Sequence, residues 1–141
     1  RDAIEEMIKT PEVLMGLADT GAHVGQTMDA SAPTYLLSHW ARDRKSITLE
    51  EAVRKITSDT AQTFGLANRG VLALGAYADV NVINYEELSL LVPEYRHDFP
   101  HNAGRFAQKA NGYEVTIVNG EVFMEHGEHT GTLAGTVLRS V

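Results

Sequence analysis

Apolar positions in the first part of the chain show helical spacing followed by one continuous apolar run. Ile4, Met7 and Ile8 lie at i, i+3 and i+4, which predicts one face of a short helix. Residues 13–18 are apolar throughout, and such a run is typical of a strand buried on both faces of a parallel sheet. Polarity changes abruptly at Asp19, where a loop is predicted to begin.

Three more helices are predicted before residue 66. Pro33 precedes apolar residues at helical spacing, and proline is favourable at a helix start because its missing N–H would be unpaired there. Thr48 and Glu51 have the spacing of a capping box at the start of the next helix. A last short helix over residues 57–64 is predicted to end at Gly65, as a left-handed cap.

The pattern becomes that of β-structure after residue 66. Residues 78–83 alternate loosely between apolar and polar. Residues 113–118 and 121–124 are rich in β-formers and are joined by Asn119-Gly120, the strongest short signal for a hairpin with a type I′ turn.

Two stretches of this second part are predicted to lack regular structure for most of their length. Residues 88–103 contain two prolines and are expected to be irregular, and the tail over 128–141 is expected to be a loop with a short strand. The chain therefore divides into an α/β part, residues 1–66, and a mostly β part, residues 67–141.

Composition excludes several classes of protein. The chain has 141 residues, of which 43% are hydrophobic, and no apolar run approaches the ~20 residues of a membrane helix. A net charge of −7 argues against binding to nucleic acid. The absence of cysteine excludes disulfides and thiolate metal sites and is typical of a cytoplasmic protein. The chain begins at Arg1 without an initiator Met, so we expect a piece of a longer protein.

Asp19 is the strongest candidate for chemistry, because it follows directly on the apolar run. In β/α barrels the carboxyl end of a strand faces the active site. A carboxylate there is suited to binding zinc, or to taking a proton from a hydrolytic water and returning it to a leaving nitrogen. The alternative is that Asp19 only stabilises a turn.

The histidines form no recognisable metal motif. His23 lies four residues after Asp19 and is a candidate to line the same mouth, with a simple loop position as the alternative. His97 and His101 are separated by Pro100, which argues against a helix that would place both on one face. The remaining three are expected at the surface or in packing: His39, His126 and His129.

Several segments in order resemble one family. Residues 16–24 resemble the eighth barrel strand of the amidohydrolase superfamily, in its N-acyl-D-amino-acid deacylase (D-aminoacylase) branch. The similarity continues through residues 33–37, 48–57, 64–66 and 69–72. Residues 75–80, Gly-Ala-Tyr-Ala-Asp-Val, resemble the G-x-x-A-D strand of the accessory β-domain, and residues 116–120 and 127–131 resemble its closing hairpin and tail.

The resemblance implies a fold and a function. The chain would be an α/β fragment, with the last strand and helices of a TIM barrel followed by the C-terminal half of a β-sandwich. The whole protein would hydrolyse N-acyl-D-amino acids with zinc, with Asp19 as metal ligand and general acid/base and His23 near the substrate. The other metal ligands of the family would lie outside this chain, so we expect the fragment itself to be inactive.

The sequence differs from the pattern of this family branch at two places. Many members of the branch have an arginine shortly after this strand that is thought to hold the substrate carboxylate, whereas residues 29–33 contain none. Ala18 stands where relatives often have serine before the aspartate.

Other functions remain open from the sequence. One is a different amidohydrolase, such as a cyclic-amide hydrolase, because a shared fold does not determine the substrate. Another is a non-catalytic structural or binding module, which the missing ligands favour. Unpaired strand edges and apolar faces further predict that the fragment oligomerises.

Overall fold

Helices occupy the first half of the chain. The computed structural model describes residues 2–16 and 18–139. The helices are α1 (Asp2–Lys9), α2 (Ala32–Tyr35), which continues without a break as a π-helical segment (Leu36–Asp43), α3 (Leu49–Ile56) and α4 (Ser58–Thr63). Within the described ranges, no helix is both long enough and apolar enough to cross a membrane.

The capping residues predicted from the sequence lie at the start of α3 and at the end of α4. In the capping box of α3, Glu51 donates its N–H to the Thr48 hydroxyl at 3.2 Å, and the N–H of Thr48 donates to the Glu51 carboxylate at 2.9 Å. Helix α4 is capped by Gly65, whose φ of +66° allows the N–H of Leu66 to reach the carbonyl of Ala61 at 2.8 Å. This Schellman geometry satisfies helix carbonyls that would otherwise be unpaired. Both predicted helix ends are confirmed.

All strand pairs in the described residues are antiparallel. The main sheet has four strands, which follow one another across the sheet in chain order. Its strands are β1 (Val80–Ile83), β6 (Tyr113–Val118), β7 (Glu121–Glu125) and β8 (Glu128–His129). The turn between β6 and β7 has φ of +49° at Asn119 and +86° at Gly120, as a type I′ turn requires. The predicted hairpin is therefore confirmed.

The stretch predicted to be irregular contains a hairpin instead. Strand β3 (Glu94–Phe99) pairs with β4 (Ala103–Ala107), and β2 (Ser89–Leu90) pairs with β5 (Ala110–Asn111). Most of β3 is exposed, and the two prolines that favoured irregular structure, Pro93 and Pro100, lie immediately outside the strand rather than within it. The prediction of irregular structure over residues 88–103 was wrong for this reason.

The predicted buried strand over residues 13–18 is also absent from the described part of that run. Leu17 lies outside the described residues, and residues 13–16 and 18 make no strand pairing. Val13 and Gly16 are exposed. A strand of a parallel sheet is stable only beside neighbouring strands. None of the eight strands of the described residues pairs with this run.

One hydrophobic cluster joins the helical and β parts. It consists of Leu36, Leu37, Trp40, Ala41, Ile47, Ala52 and Leu88. Leu88 comes from the β part and is fully buried. Arg42 of the π-helical segment reinforces the contact by donating to the carbonyls of Tyr85 and Leu88, at 2.8 and 2.7 Å. The division near residue 66 remains a prediction, and the two parts pack on a common core.

Candidate active site

Asp19 opens an exposed loop that folds back on itself. Its carbonyl accepts the N–H of Ala22 at 3.1 Å, so a turn begins directly at this residue. Gly21 within the turn has a φ of +103°, a conformation that glycine adopts without strain. Both Asp19 and His23 are exposed. The carboxylate of Asp19 is thus open to solvent at the end of the apolar run.

Asp29 closes this loop. Its carboxylate accepts the N–H of Asp19 at 2.9 Å, the N–H of Thr20 at 2.8 Å, and the hydroxyl of Thr20. The N–H of Asp29 in turn donates to the Thr20 hydroxyl oxygen at 3.0 Å. These donors, the Thr20 hydroxyl first and the Asp19 N–H second, hold the pKa of Asp29 below its usual value. The loop therefore closes on an ionised carboxylate ten residues after Asp19.

The middle of the loop rests on the β3–β4 hairpin. The N–H of Phe106 donates to the carbonyl of Val24 at 2.8 Å. The hydroxyl of Tyr95 lies beside Gly25, and its ring lies so close over Gly104 that a Cβ there would overlap it. The loop after Asp19 is thereby attached to the β part of the chain.

His23 shares the loop with Asp19 and helps to shape it. Its carbonyl accepts the N–H groups of Gln26 and Thr27, at 2.8 and 2.9 Å. These bonds make a second turn within the loop. The predicted role of His23 at the substrate remains a prediction.

The other histidines have structural contacts elsewhere. His39 stacks on Tyr35 with ring centroids 4.5 Å apart, and His97 bonds through Nδ1 to the carbonyl of Asn102 at 2.9 Å. His126 lies 2.9 Å from the carboxylate of Glu114. His101 lies in the β3–β4 turn, and the ring of His129 accepts the N–H of Gly131.

Comparison with known proteins identifies the class to which this chain belongs. The model of the amidohydrolase family matches residues 2–124, and the chain is a member of that family. Solved structures of D-aminoacylase match it with a TM-score of 0.61 and 35% identity, over 77% of this chain and 21% of theirs. One of those structures concerns the functional role of a binuclear metal centre in D-aminoacylase. The described part of the chain thus has part of the amidohydrolase fold, as predicted.

Curated relatives include a D-aminoacylase, an N-acyl-D-glutamate deacylase and a dihydroorotase. D-aminoacylase of Alcaligenes xylosoxydans xylosoxydans is 36% identical over 103 residues, 73% of this chain and 19% of the relative. N-acyl-D-glutamate deacylase of the same organism is 49% identical over 51 residues, 36% of this chain and 10% of the relative. A dihydroorotase of Lactobacillus delbrueckii subsp. bulgaricus is 32% identical over 108 residues, 76% of this chain and 25% of the relative.

The chain spans between 10% and 25% of the lengths of these three relatives. Within the described ranges, no three His, Asp or Glu side chains come close enough together to hold a metal ion. A catalytic zinc needs about three protein ligands. The described residues therefore do not form a complete metal site by themselves.

The sequence predicts a role for Asp19, which remains a prediction, and gives none to Asp29. The feature of residues 29–33 that bears on the family resemblance is their lack of an arginine. The signal that was available is a Thr-Gly turn followed by a second aspartate in a polar loop, since Asp and Thr side chains often bond to nearby main-chain N–H groups. That signal does not specify which N–H groups are bonded.

Proposed function

We propose that this chain is the part of a metal-dependent amidohydrolase that supplies its general acid/base, and that the whole protein hydrolyses N-acyl-D-amino acids. The observation that supports this most is the position of Asp19. An exposed carboxylate begins a closed loop inside the segment that matches the family model. The two deacylase relatives favour the substrate class.

Asp19 would act through its carboxylate oxygens. In amide hydrolysis a base must take a proton from the attacking water, and an acid must then protonate the nitrogen that leaves. One carboxylate is able to perform both steps in turn, because it is restored when the proton passes to the amine. Exposure of Asp19 on the outside of the loop leaves its oxygens free to meet water and substrate. We further propose that His23 lines the same mouth and contacts the substrate.

We propose zinc as the metal of the whole protein and Asp19 as the ligand that this chain contributes. Carboxylate oxygen is an accepted zinc ligand, and the other ligands would have to come from outside the described residues. This chain alone is accordingly expected to be inactive. Residues 1–66 would form the end of a TIM barrel and residues 67–141 the C-terminal strands of a composite β-sandwich.

The test compares Asp19→Asn with wild type in the whole protein. Asparagine keeps the size and the main-chain bonds of the loop but cannot accept and return a proton at neutral pH. We expect kcat to fall by about 10²- to 10⁴-fold, the usual contribution of a general acid/base. The matched control is Asp43→Asn, an exposed aspartate paired with Arg42 outside the loop, which should retain activity. Full activity of Asp19→Asn would refute the proposed role.

A second candidate function is hydrolysis of a cyclic amide. The dihydroorotase match favours it, because dihydroorotate contains the amide within a ring and the match covers 76% of this chain. A panel of N-acetyl-D-amino acids, their L-enantiomers and dihydroorotate separates the two candidates. Turnover of dihydroorotate alone would replace the deacylase proposal, and no turnover of any member would support a non-catalytic module.

A further inference from the structure

The loop after Asp19 is held at two separate points. Asp29 closes its base through three accepted hydrogen bonds, from the N–H of Asp19, the N–H of Thr20 and the Thr20 hydroxyl. Strand β4 holds its middle through the bond between Phe106 and Val24. Between these attachments the main chain turns tightly at residues 19–22 and 23–27.

We infer that Asp29 is a positioning residue, which fixes the main chain of Asp19 and thereby the place of its carboxylate. Asp29 bonds to the N–H of Asp19 itself, so the two residues are linked without an intermediate. The side chain of Asp19 is left unobstructed, because Asp29 uses only main-chain N–H groups and the neighbouring hydroxyl. This inference rests on the proposed function and adds a second residue to it.

Thr20 completes the closure by bonding in both directions. Its hydroxyl donates to the Asp29 carboxylate, and its oxygen accepts the N–H of Asp29. Bonds from neutral donors to a carboxylate are stronger than bonds between neutral groups. Loss of the charge or of the hydroxyl should therefore release the same two amides, those of Asp19 and Thr20.

Release matters for catalysis because the loop is exposed. Asp19 and Thr20 are both exposed, so packing does not hold them in place when the bonds are lost. A displacement of about 1 Å at a reacting group can lower the rate of the chemical step by roughly 10²-fold. Substrate binding through other parts of the site would be changed much less.

The first test measures amide hydrogen exchange in the whole protein at neutral pH. Asp29→Asn should accelerate exchange at Asp19 and Thr20 by roughly tenfold or more, since an amide side chain has one acceptor oxygen where the carboxylate has two. Thr20→Val should accelerate the same amides, whereas Thr20→Ser, which retains the hydroxyl, should restore protection. Amides of α3 and of β6 report whether each variant is folded.

The second test separates kcat from KM in the same variants. For Asp29→Asn we expect kcat to fall by about 10- to 100-fold with KM changed by less than about threefold, as for a displaced reacting group. Asp43→Asn is the control that should leave both constants unchanged. Unaltered exchange at residues 19 and 20, or an unaltered kcat in an active protein, would overturn the inference.

The two tests distinguish failure of the inference from failure of the proposed function. If wild type hydrolyses no amide but Asp29→Asn still exposes the two amides, the proposed function is wrong and the catalytic part of this inference falls with it. If wild type is active and Asp29→Asn behaves like wild type, the proposed function stands and the positioning role is wrong.

Discussion

Lys55 is a buried residue that ties helix α3 to the segment leading to Asp19. Only 3% of it is exposed, and its ammonium donates to the carbonyls of Thr10 and Val13, both at 2.8 Å. These carbonyls follow α1 and begin the apolar run, where regular secondary structure does not satisfy them. Lys55 therefore supplies the hydrogen bonds that a neighbouring strand would supply in a sheet.

Replacing Lys55 with methionine should destabilise the protein. Methionine fills a similar volume but removes the charged donor from both carbonyls, while the Thr10 carbonyl keeps the N–H of Val13 at 3.2 Å. A hydrogen bond to a charged group contributes about 1.5–3 kcal/mol. We expect the free energy of unfolding, measured in urea, to fall by about 2–4 kcal/mol for the pair of lost bonds. The control is Arg54→Met, one position earlier on α3, where an exposed pair with Asp59 should contribute less than about 1 kcal/mol. Equal losses in the two variants would contradict this account.

Single residues with a local signal were predictable from the sequence, whereas residues with distant partners were not. Asp19 is a candidate because it stands at a sharp change from apolar to polar sequence, and its role remains a prediction. Asp29 and Lys55 bond to main-chain atoms 9–10 and 42–45 positions away. A lysine on an amphipathic helix is normally exposed to solvent. The residues next to Lys55 in the sequence do not indicate which carbonyls its ammonium bonds.

Helix α1 is attached to the helical part by a charge network around Glu5. The Glu5 carboxylate accepts bonds from Lys9 at 2.8 Å and from Arg44 at 2.7 Å. Hydrogen bonds, from Lys9 first and then Ser46, lower the pKa of Glu5 from 4.5 to about 2. The apolar face of α1 is half exposed, with Ile4 and Met7 at 49% and 52%, and only Ile8 among its described residues packs on the hydrophobic cluster. The network therefore contributes to the position of α1.

Acid should loosen α1 within a defined range of pH. The pKa of Glu5 is lower in the folded state, so the ionised carboxylate favours folding above pH 4.5, and this contribution is lost as the pH falls from about 4.5 to about 2. We expect amide protection in α1, corrected for the intrinsic pH dependence of exchange, to decrease over that range in wild type. Glu5→Gln should remove this part of the pH dependence, whereas Glu50→Gln on α3 should retain it. Identical profiles for wild type and Glu5→Gln would show that Glu5 does not hold the helix.

Elements were predictable where the signal is local and were missed where it depends on neighbours. The α3 capping box, the Gly65 cap and the Asn119-Gly120 turn each need only a few consecutive residues, and all were confirmed. The β3–β4 hairpin was missed because Pro93 and Pro100 favoured irregular structure, although both prolines lie just outside the exposed strand β3. Residues 13–18 have the composition of a buried strand. In the described part of the chain no adjacent strand offers main-chain hydrogen bonds to them, so they do not form one.

Large apolar side chains remain at the surface of the whole molecule. Leu72 is 85% exposed and Leu133 is 86% exposed, and both lie outside the hydrophobic cluster. A groove of about 630 Å³ between α1 and α2 is lined by Ile4, Ile8, Met15, Ala32, Tyr35, His39 and Trp40. Exposed apolar surface of this kind usually marks a place that another surface covers.

We expect this chain, when produced alone, to associate with itself through these surfaces. Strand β1 at the edge of the main sheet adds unpaired main-chain groups that favour association. Light scattering over a range of concentrations should give a mass that rises above 15.4 kDa. Ile4→Glu together with Met7→Glu, which places charge beside the groove, should lower that mass, whereas Glu6→Gln together with Glu12→Gln should not. A compact monomer at the highest concentration would contradict this expectation, because it would mean that the exposed leucines and the groove are tolerated in water without a covering surface.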